Sequence, residues 1–241
     1  MVNPFSTITS IASLLFPSKC ISCSSPIGNE EEEEKICIPC SEFLRARLVT
    51  SNRGSLKVFA GGKYSMQMAH IVLAAKENNQ IAARKILATN LTLSLQHVSI
   101  QMAKNEKINS RRILLIPIPS RKTSDRKRGF SHIQLLISEF QLSNLNSNLE
   151  ILNCLSHTRL IQDQSTLNLN EREMNMRGAF FIKKTFYPQI RSAITSNTAM
   201  FLVDDLVTTG ATVQAANSAL LRLGARVDGV LASCATDGFT H

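Results

Sequence analysis

Continuous apolar runs alternate with amphipathic stretches along this chain. The run Arg112–Pro119, carrying Ile113, Leu114, Leu115, Ile116 and Ile118, reads as a strand buried on both faces. Ala199–Val203 and Arg226–Cys234 read the same way, and they flank Ala211–Leu223, where apolar positions recur at helical spacing. Upstream, Leu56–Tyr64 predicts a strand with a turn or bulge at Gly61-Gly62, and Ser65–Ala75 with Ile81–Leu95 predicts helix broken near Asn78-Asn79. A helix is expected from about Ser131 to Phe140, with further strands at Glu150–Leu155 and Ala179–Ile182. The stretch Pro4–Phe16 has the pattern of a short amphipathic helix, and Ser41–Ser55 reads as helix and linker. Strands separated by helices of this length predict an α/β fold on a mostly parallel sheet. There is no internal repeat, and only Glu30–Glu34 is of low complexity.

Composition narrows the class. At 241 residues the chain exceeds one ordinary domain, so a core of ~150–200 residues with a small appendage is expected. The division assigns residues 1–45 to an N-terminal helix and a small cysteine-bearing unit, and 55–241 to the large domain. Apolar residues are 44% and charged residues 19%, a globular balance that excludes general disorder. No apolar run approaches the ~20 residues that span a bilayer. Ile11–Phe16 is apolar but short, with no basic start and no small-residue cleavage pattern behind it, so a cytoplasmic protein is expected. Lys and Arg total 27 against 18 Asp and Glu, a net charge of +9. Residues 1–50 hold four basic and six acidic side chains, which leaves +11 on residues 51–241. Such a field favours nucleic acid or ligands with several phosphates, and the binding weakens as salt rises. A surplus that serves solubility alone is the alternative.

Four of the six cysteines form Cys20-x2-Cys23 and Cys37-x2-Cys40, separated by thirteen residues. Each pair can present two thiolates from a tight knuckle, and two knuckles complete a closed tetrahedral Zn2+ site of the zinc-ribbon kind. Disulfides are the alternative, disfavoured in a reducing compartment. With every position filled by protein, the zinc is expected to be structural. Glu30–Glu34 reads as a solvated loop, because contiguous carboxylates repel and cannot converge on one ion. Cys154 and Cys234 stand alone in apolar runs and are expected to be buried, inert thiols.

The most informative chemistry lies in Phe201-Leu202-Val203-Asp204-Asp205-Leu206-Val207-Thr208-Thr209-Gly210-Ala211-Thr212. An apolar strand delivers adjacent carboxylates to the carboxyl edge of a parallel sheet, where ligands of open α/β folds bind. The loop then opens a helix, where free backbone N–H groups, hydroxyls and the positive helix end can hold a phosphate, and Gly210 lets the backbone come close. A sugar phosphate suits both halves: Asp204 and Asp205 can accept from vicinal hydroxyls while the loop takes the 5′-phosphate. Solvated turn acids before an ordinary turn are the alternative. A second charged element, Ser120–Phe130, holds Arg121, Lys122, Arg126, Lys127 and Arg128 against Asp125 alone. Gly129 can open the backbone to an oxyanion, and Arg126 and Arg128 could fork onto a diphosphate or a nucleic-acid backbone. A solvated basic turn is the alternative there. Arg159, Arg172 and Arg177, with Gln164 and Asn175, could cover a ligand or could form a salt-bridged surface helix with Glu171 and Glu173. Lys76, at a helix end, could approach a phosphate or stay solvated.

The Asp204–Thr212 segment resembles the phosphoribosyl pyrophosphate signature of type I phosphoribosyltransferases. The chain as a whole resembles the ComF family, competence-associated proteins with a zinc ribbon ahead of a phosphoribosyltransferase-like domain. The resemblance covers about residues 18–235 and rests on the four cysteines, Lys63-Tyr64, Lys76, Pro117-x-Pro119 and Arg128-Gly129-Phe130. It continues through Arg159, Gln164, Leu169, Glu171-Arg172, Asn175, Phe180 and Asp204–Thr212. Two features depart from it: Ser131-His132 stands where the family often has Asn then Gln, and Gln141–Asn148 reads as an Asn-rich insertion.

The resemblance implies a type I phosphoribosyltransferase fold. It implies that Asp204 and Asp205 engage ribose hydroxyls and that Thr208, Thr209, Gly210, Ala211 and Thr212 grip the 5′-phosphate. Arg128, Gly129 and Lys76 would face the diphosphate, with Mg2+ bridging diphosphate and ribose. It further implies an accessory role in natural transformation. Single-stranded DNA would be handled by Arg121, Lys122, Arg126, Lys127, Arg159 and Arg172, and a competence helicase or uptake-channel component is a candidate protein partner. An active phosphoribosyltransferase of nucleotide metabolism is the alternative. That chemistry is largely electrostatic and needs no dedicated base, so no catalytic residue is assigned. Two Tyr, eleven Phe and no Trp limit the stacking platforms, so modest, salt-sensitive DNA binding is expected.

Overall fold

The computed structural model describes residues 18–27, 35–44, 48–103, 112–144, 148–158, 178–196 and 198–237. Its strands, in chain order, are β1 (Val49–Arg53), β2 (Leu56–Lys63), β3 (Ile113–Pro117), β4 (Leu149–Ile151), β5 (Leu155–His157), β6 (Phe180–Ile182), β7 (Ala199–Val207) and β8 (Gly229–Ala235). The helices are α1 (Ile38–Leu44), α2 (Met66–Glu77), α3 (Ile81–Ala103), α4 (Lys122–Arg128), α5 (His132–Ser143), α6 (Tyr187–Thr195) and α7 (Ala211–Leu221). Six strands form one sheet in the order β1-β2-β8-β7-β3-β4, while β5 and β6 pair in a separate antiparallel ribbon. Only β1 and β2 run antiparallel in the main sheet; every other pairing is parallel, as the alternation of strand and helix predicts.

Both faces of this sheet are covered, which is why the central strands read as unbroken apolar runs. All seven residues of β8 are buried. On one face Phe59, Leu115, Phe201, Val203 and Leu231 pack with α2, α3 and α5 through Met68, Ile71, Leu87, Leu91, Leu136 and Phe140. On the other, Val58, Leu114, Ile116, Leu202 and Val230 meet Phe180, Ile190 of α6 and Ala216 and Leu220 of α7. Ser65 caps α2 by accepting the Met68 N–H, and Asn79 makes the sharp link to α3 with φ +52°.

The in-and-out alternation slips once, at one level of the sheet. Val203 and Leu206 lie three residues apart yet both pack toward α2, α3 and α5, and so do Leu231 and Cys234. Leu206, Cys234 and Gly62 share that level in the strand register. Here α3 presses on bare backbone: a Cβ on Gly61 would stand 1.8 Å from the Asn90 carbonyl oxygen, and one on Gly62 would stand 2.7 Å from Asn90 Nδ2. The predicted interruption at Gly61-Gly62 therefore marks a close helix–sheet approach inside a continuous strand.

Several segments differ from the sequence expectation. β1 occupies the second half of the predicted helix-and-linker Ser41–Ser55; it is a mostly polar edge strand, half-buried and exposed by turns up to the buried Arg53 at its end, without an apolar signature. The basic stretch after β3 folds as α4, a polar helix that buries no residue and so shows no apolar periodicity. α6 differs from the sequence expectation as well, since it buries only Ile190 and Ala193. Glu150–Leu155 divides between β4 in the main sheet and β5 in the small ribbon. Cys154 and Cys234 are fully buried, and burial pushes the Cys154 thiol up to about 11 and that of Cys234 higher still. Among the described residues no helix is long and apolar enough to cross a membrane. Pro4–Phe16 and Glu30–Glu34 lie outside the described residues.

The tight approach of α3 has a measurable cost if it is disturbed. Gly61→Ala is expected to destabilise the protein by about 3 kcal/mol, as an overpacked core position does, read from chemical denaturation followed by circular dichroism.

Candidate functional site

A cavity of about 300 Å3 opens at the carboxyl ends of β3 and β7. Asp204, Asp205, Thr208 and Thr212 line it from β7 and the turn into α7, while Pro119, Ser120, Arg121, Ser124 and Arg128 line it from the segment after β3. Lys76 closes a third side from the last turn of α2, and His132, His157 and Phe180 complete the wall. The place is the one parallel-sheet geometry dictates: strand termini and helix starts leave backbone groups unpaired at that edge.

The two carboxylates are held by the slip in the strand. Asp204 Oδ1 accepts the N–H of Asp205 at 3.0 Å, and Asp205 Oδ1 accepts the N–H of Leu206 at 2.9 Å. Asp205 is buried, with Oδ2 3.1 Å from His132 Nε2 and 3.7 Å from Lys76 Nζ. The His132 contact is close but off the hydrogen-bond line, so Oδ2 and both ring nitrogens keep unspent bonding capacity. Burial, and next the Asp205 charge, push the Asp204 carboxyl well above the usual carboxylate range. Burial works the same way on Asp205, but His132, Lys76 and the hydrogen bond with Asp204 outweigh it and hold Asp205 low.

Below the turn sits a residue that sequence reasoning passed over. Arg53, 4% exposed at the end of β1, donates from Nε to the Thr208 carbonyl and from Nη2 to Thr236 O and Oγ1 at 2.8 and 2.9 Å. Nη1 donates to Asn52 O at 2.9 Å and to Ser51 Oγ at 3.1 Å. Gly210 lies directly on this side chain: a Cβ there would stand 2.5 Å from Arg53 Cβ, and its φ of +86° belongs to the left-handed region. The glycine thus lets the turn close over the arginine, leaving Thr208, Thr209 and Thr212 exposed. Thr209 Oγ1 accepts from Ala211 N–H at the start of α7.

The basic residues separate into two groups. Arg121 and Arg128 border the cavity, whereas Lys122, Arg126 and Lys127 are exposed on α4. Arg128 is bound to Asp125 at 2.9 Å and Glu77 at 3.3 Å and lies over the Phe130 ring at 5.9 Å. Gly129 ends α4 with φ +79°, its N–H donating to Asp125 O, and is not among the cavity-lining residues. Arg159 and Arg172, with Gln164, Asn175 and Arg177, lie outside the described residues. His132 and His157 are wall residues without a sequence motif of their own. His157 Nε2 lies 2.8 Å from Pro119 O, and the ring packs 4.5 Å from that of Phe180. Burial most of all, with the Arg121 charge, lowers the His157 pKa against the Pro119 bond and Asp125.

The second centre is the cysteine cluster. All four thiols of Cys20, Cys23, Cys37 and Cys40 lie within 4.8 Å of one another, a set that could hold one metal ion such as zinc. Cys20 Sγ accepts N–H groups from Ser22 and Cys37, each at 3.4 Å. Among the described residues no other group of three metal-ligating side chains converges in this way. The cluster is not an isolated bead: Cys20, Cys37, Cys40, Ile27 and Ile36 share the core of Met68, Ile71 and Ala75. Ser22 also bridges to α2, its Oγ donating to Gln67 O and its carbonyl bonded to His70 Nδ1.

No family model and no curated protein matches this chain in sequence.

Two outcomes follow from these contacts. Arg53→Ala takes the guanidinium donors away from the Thr208 and Thr236 carbonyls and is expected to cost about 1–3 kcal/mol, measured by urea denaturation. Chelation of a bound metal, or Cys37→Ser, is expected to lower the melting temperature and to increase amide exchange along α2, because the knuckles pack on its first half.

Proposed function

We propose that this chain is a ComF-like accessory of natural transformation that binds phosphoribosyl pyrophosphate in the cavity and single-stranded DNA on the adjoining basic face. The observation that carries the reading is the meeting of two carboxylates with Thr208 and Thr212, the two ends of the turn, across one cavity bordered by Lys76, Arg121 and Arg128. A ribose 5-phosphate unit needs both partners: a carboxylate acceptor for hydroxyls and free N–H and hydroxyl donors for a phosphate. The cations on the opposite wall suit a diphosphate on the anomeric carbon. With that geometry the domain over 55–241 is read as type I phosphoribosyltransferase-like, in a cytoplasmic protein.

In this reading Arg53 stiffens the turn from beneath, and Gly210 keeps it open to an oxyanion. Lys76 and Arg121 neutralise the diphosphate, and Arg128 braces the wall through Asp125 and Glu77. Mg2+ would enter as the counter-ion of the diphosphate and supply further charge neutralisation. The metal of the cysteine cluster is read as zinc and as structural, since four thiolates leave no open coordination position. Lys122, Arg126 and Lys127, exposed on α4 beside the cavity mouth, are read as backbone contacts for single-stranded DNA. The ribbon surface is the natural contact for a competence helicase or channel component.

A second reading, an active phosphoribosyltransferase, has one footing: the His157–Phe180 ring pair on the cavity wall, where a flat acceptor could lie. Release of diphosphate on mixing the protein with phosphoribosyl pyrophosphate and a nucleobase would favour it.

Phosphoribosyl pyrophosphate with Mg2+ at a hundredfold excess over its Kd is expected to stabilise the parent by about 2.7 kcal/mol, seen as a rise in melting temperature. Asp204→Asn should abolish that rise. Reversing Lys122, Arg126 and Lys127 to Glu should leave it intact while flattening the salt dependence of oligonucleotide binding by about two in log K against log[salt]. No melting shift with the ligand, or no DNA affinity at low salt, would remove the corresponding half of the proposal.

A further inference from the structure

Asp204 and Asp205 stand in unlike surroundings. Asp205 is 6% exposed; its Oδ1 is taken by the Leu206 N–H, and its Oδ2 has no open surface. The two groups that face Oδ2 come from different helices, His132 in the first turn of α5 and Lys76 in the last turn of α2. His132 is itself only 2% exposed, and neither ring nitrogen has a hydrogen bond of good geometry. Asp204 is half-buried at the same cavity. Asp204 keeps surface open to a ligand hydroxyl at the cavity, whereas reaching Asp205 Oδ2 would mean opening the packing between α2, α5 and β7.

We propose that His132 and Lys76 clamp the buried Asp205 carboxylate and so position Asp204, and that Asp204 alone accepts the hydroxyls of the bound sugar phosphate. The proposal rests on the sugar-phosphate reading of the cavity and divides the labour of the acidic pair, making His132 a positioning residue. Its logic is electrostatic. A carboxylate this buried needs opposite charge or donors on its free oxygen. Two helices supply them, which ties both to the strand carrying Asp204. The Asp205 charge held in this way acts on its neighbour: together with burial it makes Asp204 reluctant to ionise.

A pH profile therefore reads the clamp. Among the described residues the charged and titratable groups around the pair are Lys76 from α2, His132 from α5, Cys234 from β8, Arg121, Asp125 and Arg128 from the α4 segment and His157 from β5. Ionised Asp204 is the better hydroxyl acceptor, so affinity rises with pH as Asp204 loses its proton. Removing the Asp205 charge lets Asp204 ionise at lower pH, so the midpoint of the affinity curve moves down.

The experiment uses the full chain and ribose 5-phosphate or phosphoribosyl pyrophosphate with Mg2+, titrated calorimetrically across pH, alongside 13C carboxyl NMR titration of the ligand-free protein. Asp204→Asn is expected to abolish binding. Asp205→Asn should retain it, weakened about tenfold, with the affinity midpoint and the Asp204 carboxyl titration both about one pH unit lower. His132→Ala should weaken binding about tenfold with the fold intact by circular dichroism, and His132→Gln, which keeps a donor at that reach, should restore most of the loss. Equal loss in Asp204→Asn and Asp205→Asn, or an unmoved Asp204 titration in Asp205→Asn, overturns the clamp. If the parent binds neither ligand, the sugar-phosphate reading and the ligand role of Asp204 fail, and the ligand-free titration alone decides whether the clamp exists.

Discussion

The structure turns on one buried negative charge. Asp205 sits at the carboxyl end of the central strand with its outer oxygen enclosed, and the groups that compensate it, His132 and Lys76, come from the ends of two helices on the same face of the sheet. A charge in that position is costly unless its partners stay in place. Satisfying it fixes where α5 begins and where α2 ends, and those two points form opposite sides of the cavity. The slip in strand alternation belongs to the same constraint. Strict alternation would send consecutive acids to opposite faces, but here both border one cavity.

A second buried charge organises the other half of the site. Arg53 gathers the Thr208 carbonyl, Thr236 and its own strand into one network, so the turn that opens α7 is built over a guanidinium. Its place at the end of an edge strand, far from the turn in sequence, ties the antiparallel margin of the sheet to the centre. The cysteine cluster joins this framework through α2. Its knuckles pack on the first half of the helix at Gln67 and His70, and the last turn of that helix delivers Lys76 to Asp205. A metal held by the four thiols would thus brace the same helix that closes the cavity.

The apolar runs at Arg112–Pro119, Ala199–Val203 and Arg226–Cys234 announce the central strands because both their faces are buried. The spacing of the four cysteines, and the acid–threonine turn, carry their chemistry in residue types that stand close together in the chain. What sequence reading missed is what tertiary contact creates. β1 is a polar edge strand, and α4 and α6 bury little or nothing, so periodicity had no grip on them. Arg53 meets Thr208 and Thr236, His132 meets Asp205 and His157 meets Pro119, partners 38 to 183 positions away, a distance no local motif spans. The basic stretch read as a single polyanion loop is instead divided by a short helix, which turns Arg121 and Arg128 to the cavity while Lys122, Arg126 and Lys127 stay in solvent.

The central claim is that a sugar phosphate lies between the acidic pair and the threonine turn. Amide chemical-shift mapping of the 15N-labelled chain with phosphoribosyl pyrophosphate and Mg2+ tests it most directly. The account predicts that the largest saturable shifts fall on Asp204–Leu206 and Thr208–Thr212, with smaller ones near Lys76 and Arg121. Shifts confined to the exposed face of α4, or none at millimolar ligand, would contradict it.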